Sequence, residues 1–419
     1  ARLADRYNAA ASVAWNLRLP EQPAMSGQLK LQGDVTGYEV THQLKAPYAI
    51  TTEGEVSIDD DKPAFDLANR WQSIDIAAGD ARSINLGDGN LRIAGNIDDF
   101  SYEIRADVST DDVPLLAVTS VGGLVADSVN IDMLSVFSDR GRLSASGQVN
   151  LSADSPWQLA FDITDVDASL ADERLGGSID ARGTSSGRII DGRPVATVII
   201  DDLAGDLNGH PVDGSADLAY ADGGLRIENA VVEVGDNLAR FSGGFGTDLE
   251  IDASLELANL AQLGFDLSGR LSGDIRAATN FEVLEVDGTL GGSELAWRDY
   301  SAERLDATFA IPRSGRGTAS TRIASALVGD TAIESIDLSA SGTALAHQLR
   351  ANIVARDVRT DATVDAGFDD GRWSGSISKL SLVGDLPGEW RLREPAEFTL
   401  SDAGFALANT CLLYTSDAA

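Results

Sequence analysis

Apolar and polar residues alternate strictly over residues 249–257. Successive side chains of a β-strand point to opposite faces, so this period of two predicts a strand with one apolar and one acidic face. The apolar positions are Leu249, Ile251, Ala253, Leu255 and Leu257. The polar positions are Glu250, Asp252, Ser254 and Glu256, and we expect their three carboxylates to be exposed to solvent.

The same two-faced pattern recurs elsewhere in the chain. In residues 267–277 the apolar positions include Leu267, Leu271 and Ile275. In residues 143–151 they include Leu143 and Val149. Repeated strands of this kind predict a long sheet with one continuous apolar surface.

A degenerate repeat, apolar-x-apolar-x-Gly-x-apolar, places a glycine on the apolar face of several predicted strands. These glycines are Gly33, Gly95, Gly147 and Gly342. An aromatic residue follows five positions after the first two, at Tyr38 and Phe100. A glycine at such a position leaves a notch, which suits a curved or closely approached strand.

Clusters of Asp, Gly, Asn and Pro separate the strands and predict short turns. They lie at residues 59–63, 87–90, 221–224 and 369–371. Short connections favour antiparallel neighbours, and the irregular spacing of the repeat argues against a strict parallel β-helix. Residues 169–175 and 258–263 are expected to form single helical turns. The predicted fold class is all-β, an elongated and mostly antiparallel β-meander.

Composition changes this picture mainly through charge. The 419 residues include 66 acids and 32 bases, which gives a net charge of −34. The acids are scattered singly through strands and turns, so we interpret them as a solvated outer face. A surface of this sign repels nucleic acid and anionic membranes, and we expect neither to bind the outer face.

The sequence contains few motifs that would indicate a catalytic or metal-binding site. Residues 183–187 match the G-x-S-x-G motif, but that motif requires a helix after the serine and the following residues read as strand and turn, so we interpret it as a Gly/Ser turn. His42, His210 and His347 lack metal-ligand spacing and are expected to be surface or turn histidines. The acids at 59–61 lack a complete calcium loop. We therefore predict no enzyme activity, cofactor or metal.

Several segments rich in glycine and tryptophan occur in the same order as in a known family. They lie at residues 155–159, 207–218, 225–227, 241–243, 267–273, 295–297, 373–377 and 388–392. Together they resemble the central region of the TamB family, periplasmic proteins of the AsmA-like superfamily that are anchored in the inner membrane by an N-terminal helix. The resemblance covers most of residues 29–407.

The resemblance implies a sheet curled into a U-shaped trough, or β-taco, with an apolar inner face that carries phospholipid acyl chains across the periplasm. Exposing an apolar face costs about 25 cal/mol per Å², so such a sheet must fold on itself or hold lipid. The candidate lipid-groove residues are Leu143, Val149, Leu249, Ile251, Leu255, Leu257, Leu267, Leu271 and Ile275. The resemblance also implies an outer-membrane Omp85-type partner, TamA, contacted through regions outside this chain.

We expect residues 29–407 to form one continuous β-trough with weak sub-boundaries near 155 and 280, preceded by an incomplete N-terminal edge at 1–28. The chain starts without methionine, so we interpret it as a fragment. Residues 411–419 look like a translated sequencing adapter, which makes Cys411 doubtful as a native residue. The alternative hypothesis is a structural β-solenoid or adhesin-like stalk whose apolar face is a closed core.

Overall fold

The fold is all-β, as predicted. The computed structural model describes residues 8–18, 23–34, 36–59, 62–78, 82–110, 115–280, 284–384, 388–402, 404–408 and 410–415. Strands make up well over half of residues 29–407, and the helical content of the described ranges is two short 3-10 helices. No helix in these ranges is long and apolar enough to cross a lipid bilayer.

The chain divides into two compact units. The first comprises Ala1–Asp167 and Ser178–Leu203, and the second comprises Ala168–Gly177 and Ala204–Ala419. The strands up to the division are β1 (Ala9–Leu17), β2 (Met25–Asp34), β3 (Gly37–Ala46), β4 (Ile50–Asp59), β5 (Lys62–Trp71), β6 (Ile74–Ala78), β7 (Arg82–Asn96), β8 (Asp99–Thr110), β9 (Leu116–Val125), β10 (Ser128–Ser138), β11 (Gly141–Asn150), β12 (Trp157–Asp167), β13 (Gly177–Ile190) and β14 (Arg193–Leu207).

The second unit contains the first residue of β13, residues 204–207 of β14, the remaining strands and both 3-10 helices, Ala168–Leu170 and Leu260–Leu263. Its strands are β15 (His210–Ala221), β16 (Gly224–Val234), β17 (Asn237–Phe245), β18 (Leu249–Leu257), β19 (Leu267–Thr279), β20 (Leu284–Trp297), β21 (Tyr300–Ile311), β22 (Gly317–Val328), β23 (Thr331–Thr343), β24 (Ala346–Ala355), β25 (Val358–Asp369), β26 (Arg372–Gly384), β27 (Gly388–Leu392), β28 (Ala396–Ser401), β29 (Gly404–Leu407) and β30 (Leu412–Thr415). The two helices fall where single helical turns were expected.

Each unit is an antiparallel meander in which most strands pair with their neighbours in the chain. The long strand β7 is an exception, because its first part pairs with β6 and its second part with β5. Near the end of the chain β26 pairs with both β27 and β28. The predicted antiparallel pairing is confirmed.

The register confirms the two faces predicted for β18. Leu257 pairs with Leu271, and Ala253 pairs with Ile275, so the apolar residues of β18 and β19 share one face. The carboxylates occupy the other face, where the side chain of Glu256 is 67% exposed and that of Asp252 is 41% exposed. A register displaced by one residue would have reversed this arrangement.

Packing is densest in small clusters. In the first unit Trp71, Ile74 and Ala106 are buried, and partly buried neighbours such as Ile50 and Leu86 pack against them. In the second unit the buried residues include Val212, Ala230, Val234 and Leu260. Within the described ranges no large side chain is completely enclosed.

One predicted turn is wrong. Residues 87–90 lie inside β7, at a shift in its register with β8, instead of reversing the chain. The structure explains the glycine, because a Cβ at Gly89 would lie 2.2 Å from the ring of Trp71. The turns at residues 221–224 and 369–371 are present, with Asp222 and Gly223 in the left-handed region. Asp60 and Asp61, the centre of the calcium site that was considered, lie outside the described residues.

Candidate functional site

The apolar face of the second unit, defined by the residues that share a face with Leu257 and Leu271, extends over β17 to β26. Its register rows join apolar residues of successive strands. One row contains Leu255, Gly273, Leu290 and Ala307. Another contains Ile323, Ile336 and Ile353. This face therefore presents aliphatic side chains from many consecutive strands, as the alternation predicted.

The seven candidate residues of the second unit all lie on this face. Leu249, Ile251, Leu255, Leu257, Leu271 and Ile275 are half-buried. Leu267, at the beginning of β19, is 36% exposed. Half-burial means that their strand neighbours cover them from the sides while part of each surface stays accessible.

The two candidates of the first unit lie on β11. Leu143 pairs with Val136 and Ile163, and Val149 pairs with Val129 and Trp157. Both are half-buried. The apolar face of the first unit, defined by the residues that share a face with Leu143 and Val149, is thus built in the same way as that of the second.

Glycine notches mark close contacts between neighbouring strands. A Cβ at Gly33, Gly95, Gly147 or Gly342 would lie between 2.0 and 2.4 Å from a carbonyl oxygen of the adjoining strand or turn. Tyr38 is the register partner of Gly33, and Phe100 is the partner of Gly95. An aromatic residue opposite glycine is a known way to stabilise a strand pair that glycine weakens.

Tryptophan rings lie against the strands of the apolar face. Trp157 is opposite Gly187, and its Nε1 donates a hydrogen bond to Oγ of Ser185 at 3.2 Å. Ser185 belongs to the G-x-S-x-G segment, which forms the interior of strand β13, so its interpretation as a turn is wrong. Glycine is needed at position 187 because a Cβ there would lie 2.3 Å from the ring of Trp157.

Two of the three histidines are also placed differently from the expectation. His42 and His347 are half-buried strand residues, and each accepts a hydrogen bond at Nε2 from a tryptophan. The donors are Nε1 of Trp15, at 3.3 Å, and Nε1 of Trp373, at 2.7 Å. No sequence signal identified these pairs, because the partners are 27 and 26 residues apart and meet only across the register.

The polar face, formed by the opposite set of strand residues, is lined with ion pairs. Nη2 of Arg92 lies 2.6 Å from Oδ2 of Asp66, and the hydrogen bond from Arg92 lowers the pKa of the Asp66 carboxyl. Arg304 lowers the pKa of Asp306 in the same way. These side chains are largely exposed, so each pair contributes little to stability. The ion pairs are consistent with a solvated outer face.

Five surface clefts of the described residues lie on this polar face. The largest, about 1330 Å³, spans β3 to β9. The charged side chains that line it are the bases Lys45, Arg70, Arg92 and Arg105 and the acids Asp88, Glu103 and Asp107. Sequence reasoning missed it because these residues are far apart in the chain and meet only as register neighbours.

Fold and site together define a class of protein, an antiparallel β-meander with one aliphatic and one charged face. The chain belongs to the TamB family, since the family model described as "TamB, N-terminal domain" matches residues 1–416. It is similar to the translocation and assembly module subunit TamB of Haemophilus influenzae, with 21% identity over 387 residues. That alignment covers 87% of this chain and 29% of the relative, so the chain spans less than a third of the relative's length.

Proposed function

We propose that this chain is a segment of a periplasm-spanning protein that conducts phospholipids between the inner and outer membranes along an apolar groove, in support of outer-membrane biogenesis. The observation that carries the proposal is the half-burial of the aliphatic side chains on β18 and β19. An aliphatic surface that its own fold does not cover completely is complementary to an acyl chain, and each buried methylene of the lipid contributes about 0.8 kcal/mol.

The groove explains why lipid would move along the chain instead of binding at one point. Register rows repeat similar aliphatic side chains on successive strands, so an acyl chain meets a similar surface at each step. The charged headgroup would remain in water while the chains stay on the apolar face. Among the described residues, the absence of a completely enclosed large side chain favours this groove over a stalk with a closed core.

The name of the relative, a subunit of a translocation and assembly module, supports a partner for the whole protein. We place the segment in the periplasm, with the inner-membrane helix and the contact to an Omp85-type partner such as TamA in parts of the protein outside this chain. Phospholipid acyl chains are the ligand of the segment itself.

A charge on the apolar face tests the proposal. Leu271→Asp in the full-length protein places an unpaired carboxylate against the acyl chains, which costs several kcal/mol. We expect phospholipid arrival at the outer membrane to fall about tenfold or more in cells that depend on this protein. The measurement is a pulse-chase of labelled phospholipid with protein levels confirmed to be normal.

Asp274→Lys is the matched control. Asp274 is three residues further along β19 on the polar face, where its side chain is exposed and a change of charge meets water. We expect this variant to transport lipid at the wild-type rate. Equal transport by the two variants would contradict the groove and favour the structural stalk.

A further inference from the structure

A row of polar side chains crosses the apolar face of the first unit. His42 on β3, Thr52 on β4 and Asn69 on β5 are consecutive register partners. Strand alternation puts them on the same face as Ile50 and Leu67, between two rows of mainly apolar residues. The strictly alternating pattern is therefore broken at one place on three adjacent strands.

The second unit has no such interruption at a comparable row of described residues, where β22, β23 and β24 present Ile323, Ile336 and Ile353. A polar side chain on an apolar face costs free energy unless a partner satisfies its hydrogen-bonding groups. A row of three indicates that this part of the face meets something polar.

Hydrogen bonds within the row leave two N–H donors without an acceptor among the described residues. Thr52 donates to Oδ1 of Asn69 at 2.7 Å, and Nδ2 of Asn69 uses one of its two hydrogens on the carbonyl of Leu91 at 3.1 Å. Trp15 donates to Nε2 of His42, so Nε2 carries no proton and the neutral ring is protonated at Nδ1. The free donors are the second N–H of Asn69 and Nδ1–H of His42.

Trp71 adds a third donor beside the row. It follows Asn69 by two positions on the same face of β5 and is 9% exposed. Its Nε1 has no hydrogen-bond partner in the described part of the chain. The side chains packed around it are aliphatic except for Tyr48, whose hydroxyl does not pair with Nε1. The Nε1 atom itself is enclosed, so the donors open to a ligand are the two of the row, both neutral and set among mainly aliphatic side chains.

We propose that this row binds the ester oxygens of a diacyl phospholipid, with the acyl chains lying on the neighbouring aliphatic rows. Ester carbonyls are neutral acceptors attached directly to acyl chains, so they match neutral N–H donors set in an aliphatic surface. The inference rests on the proposed function. It adds that the first unit distinguishes ester-linked from ether-linked acyl chains, whereas the aliphatic rows of the second unit do not.

The test compares two lipids in the purified full-length protein. The photocrosslinking residue p-benzoylphenylalanine is incorporated at Leu67, beside the row, or at Leu271 in the second unit. The probes are vesicles of labelled phosphatidylethanolamine with either two ester-linked or two ether-linked chains, since the ether lipid lacks the carbonyl oxygens. At Leu67 we expect about fivefold more crosslinking of the ester lipid, the effect of one net hydrogen bond. At Leu271 we expect equal crosslinking.

The double variant Thr52→Val/Asn69→Leu removes the free N–H of Asn69 and leaves only the Nδ1–H of His42, so the ratio at Leu67 should fall to about twofold or less. Replacing both partners of a hydrogen bond by apolar groups of similar shape leaves stability nearly unchanged, so the strand should fold. Asn90→Leu removes an exposed amide from the polar face of β7 and should keep the fivefold ratio.

The outcomes separate the two proposals. Equal crosslinking of the two lipids at Leu67 in the wild-type protein, or a fivefold ratio that survives in the double variant, would overturn the role of the polar row while leaving the groove intact. A lack of lipid crosslinks at both Leu67 and Leu271 would overturn the proposed function.

Discussion

Glycine is the residue whose position in this chain carries the most structural information. The repeat in the sequence predicted notches, and the structure places a neighbouring carbonyl oxygen where the Cβ of each repeat glycine would be. The pattern could not distinguish a notch from a turn. Gly89 was assigned to a turn, although it lies under the ring of Trp71 within a long strand. That distinction depends on which residue stands across the register, and a single sequence does not contain it.

Adjacent glycines on β17 allow a direct test of the notch. A Cβ at Gly243 would lie 1.9 Å from the carbonyl oxygen of Glu250, whereas one at Gly244 would have nothing within 4 Å. We expect Gly243→Ala to destabilise the chain by about 2 kcal/mol and to lower the midpoint of thermal unfolding by roughly 4 °C. Gly244→Ala should change stability by less than about 0.5 kcal/mol. A similar loss in both variants would contradict the close contact with the Glu250 carbonyl as the reason for glycine at position 243.

Among the elements, the strands were predictable and the segments that join distant strands were not. Alternation is a local signal, and it gave the correct face for β11, β18 and β19. The segment at residues 258–263 was predicted only as a helical turn. In the structure its 3-10 helix buries Leu260, and Asn259 and Gln262 hydrogen-bond to Asn237, which is 3% exposed. Asn237 is one of the most buried polar residues, but in the sequence it cannot be told from an asparagine that merely forms a turn.

Asn237 is expected to hold this segment in place. Its two Nδ2 hydrogens are shared among three acceptors, the carbonyls of Val234 and Asn259 and Oε1 of Gln262, at 2.9 to 3.0 Å from Nδ2. Asn237→Asp replaces the donor with an acceptor facing these oxygens and should cost about 3 kcal/mol. Hydrogen exchange of residues 258–263, measured by mass spectrometry, should become roughly tenfold faster or more.

Asn229→Asp, a change of the same kind at an exposed amide of β16, should leave that exchange at the wild-type rate. Unchanged exchange in Asn237→Asp would mean that the packing of Leu260, rather than the amide, fixes the segment.

Across the whole molecule, charge separates the two faces more sharply than hydrophobicity does. The net charge of −34 is carried on polar faces where arginines pair with acids of the same or neighbouring strands. Composition predicted a solvated acidic surface. It could not predict the cleft of β3 to β9, where four bases lie beside three acids, because that grouping arises from the register.

Salt should stabilise this chain. Raising the ionic strength from about 0.01 M to about 0.1 M shortens the Debye length from about 30 to about 10 Å. This screens repulsion between distant acids, while ion pairs such as Arg322 with Asp337, at 2.6 Å, are screened less. We expect the midpoint of thermal unfolding to rise by a few degrees in NaCl. A lower midpoint would mean that the ion pairs outweigh the repulsion.

The central claim, that one face of the sheet contacts phospholipid, is tested most directly by photocrosslinking along a single strand. p-Benzoylphenylalanine would be incorporated in the full-length protein at successive positions of β19 in living cells, followed by detection of crosslinked phospholipid. The apolar-face positions are Leu271, Ile275 and Ala277, and the polar-face positions are Ser272, Asp274 and Arg276. The account predicts lipid at every apolar-face position and none at the polar-face positions. Crosslinks of equal strength on both faces, or none on either, would contradict it.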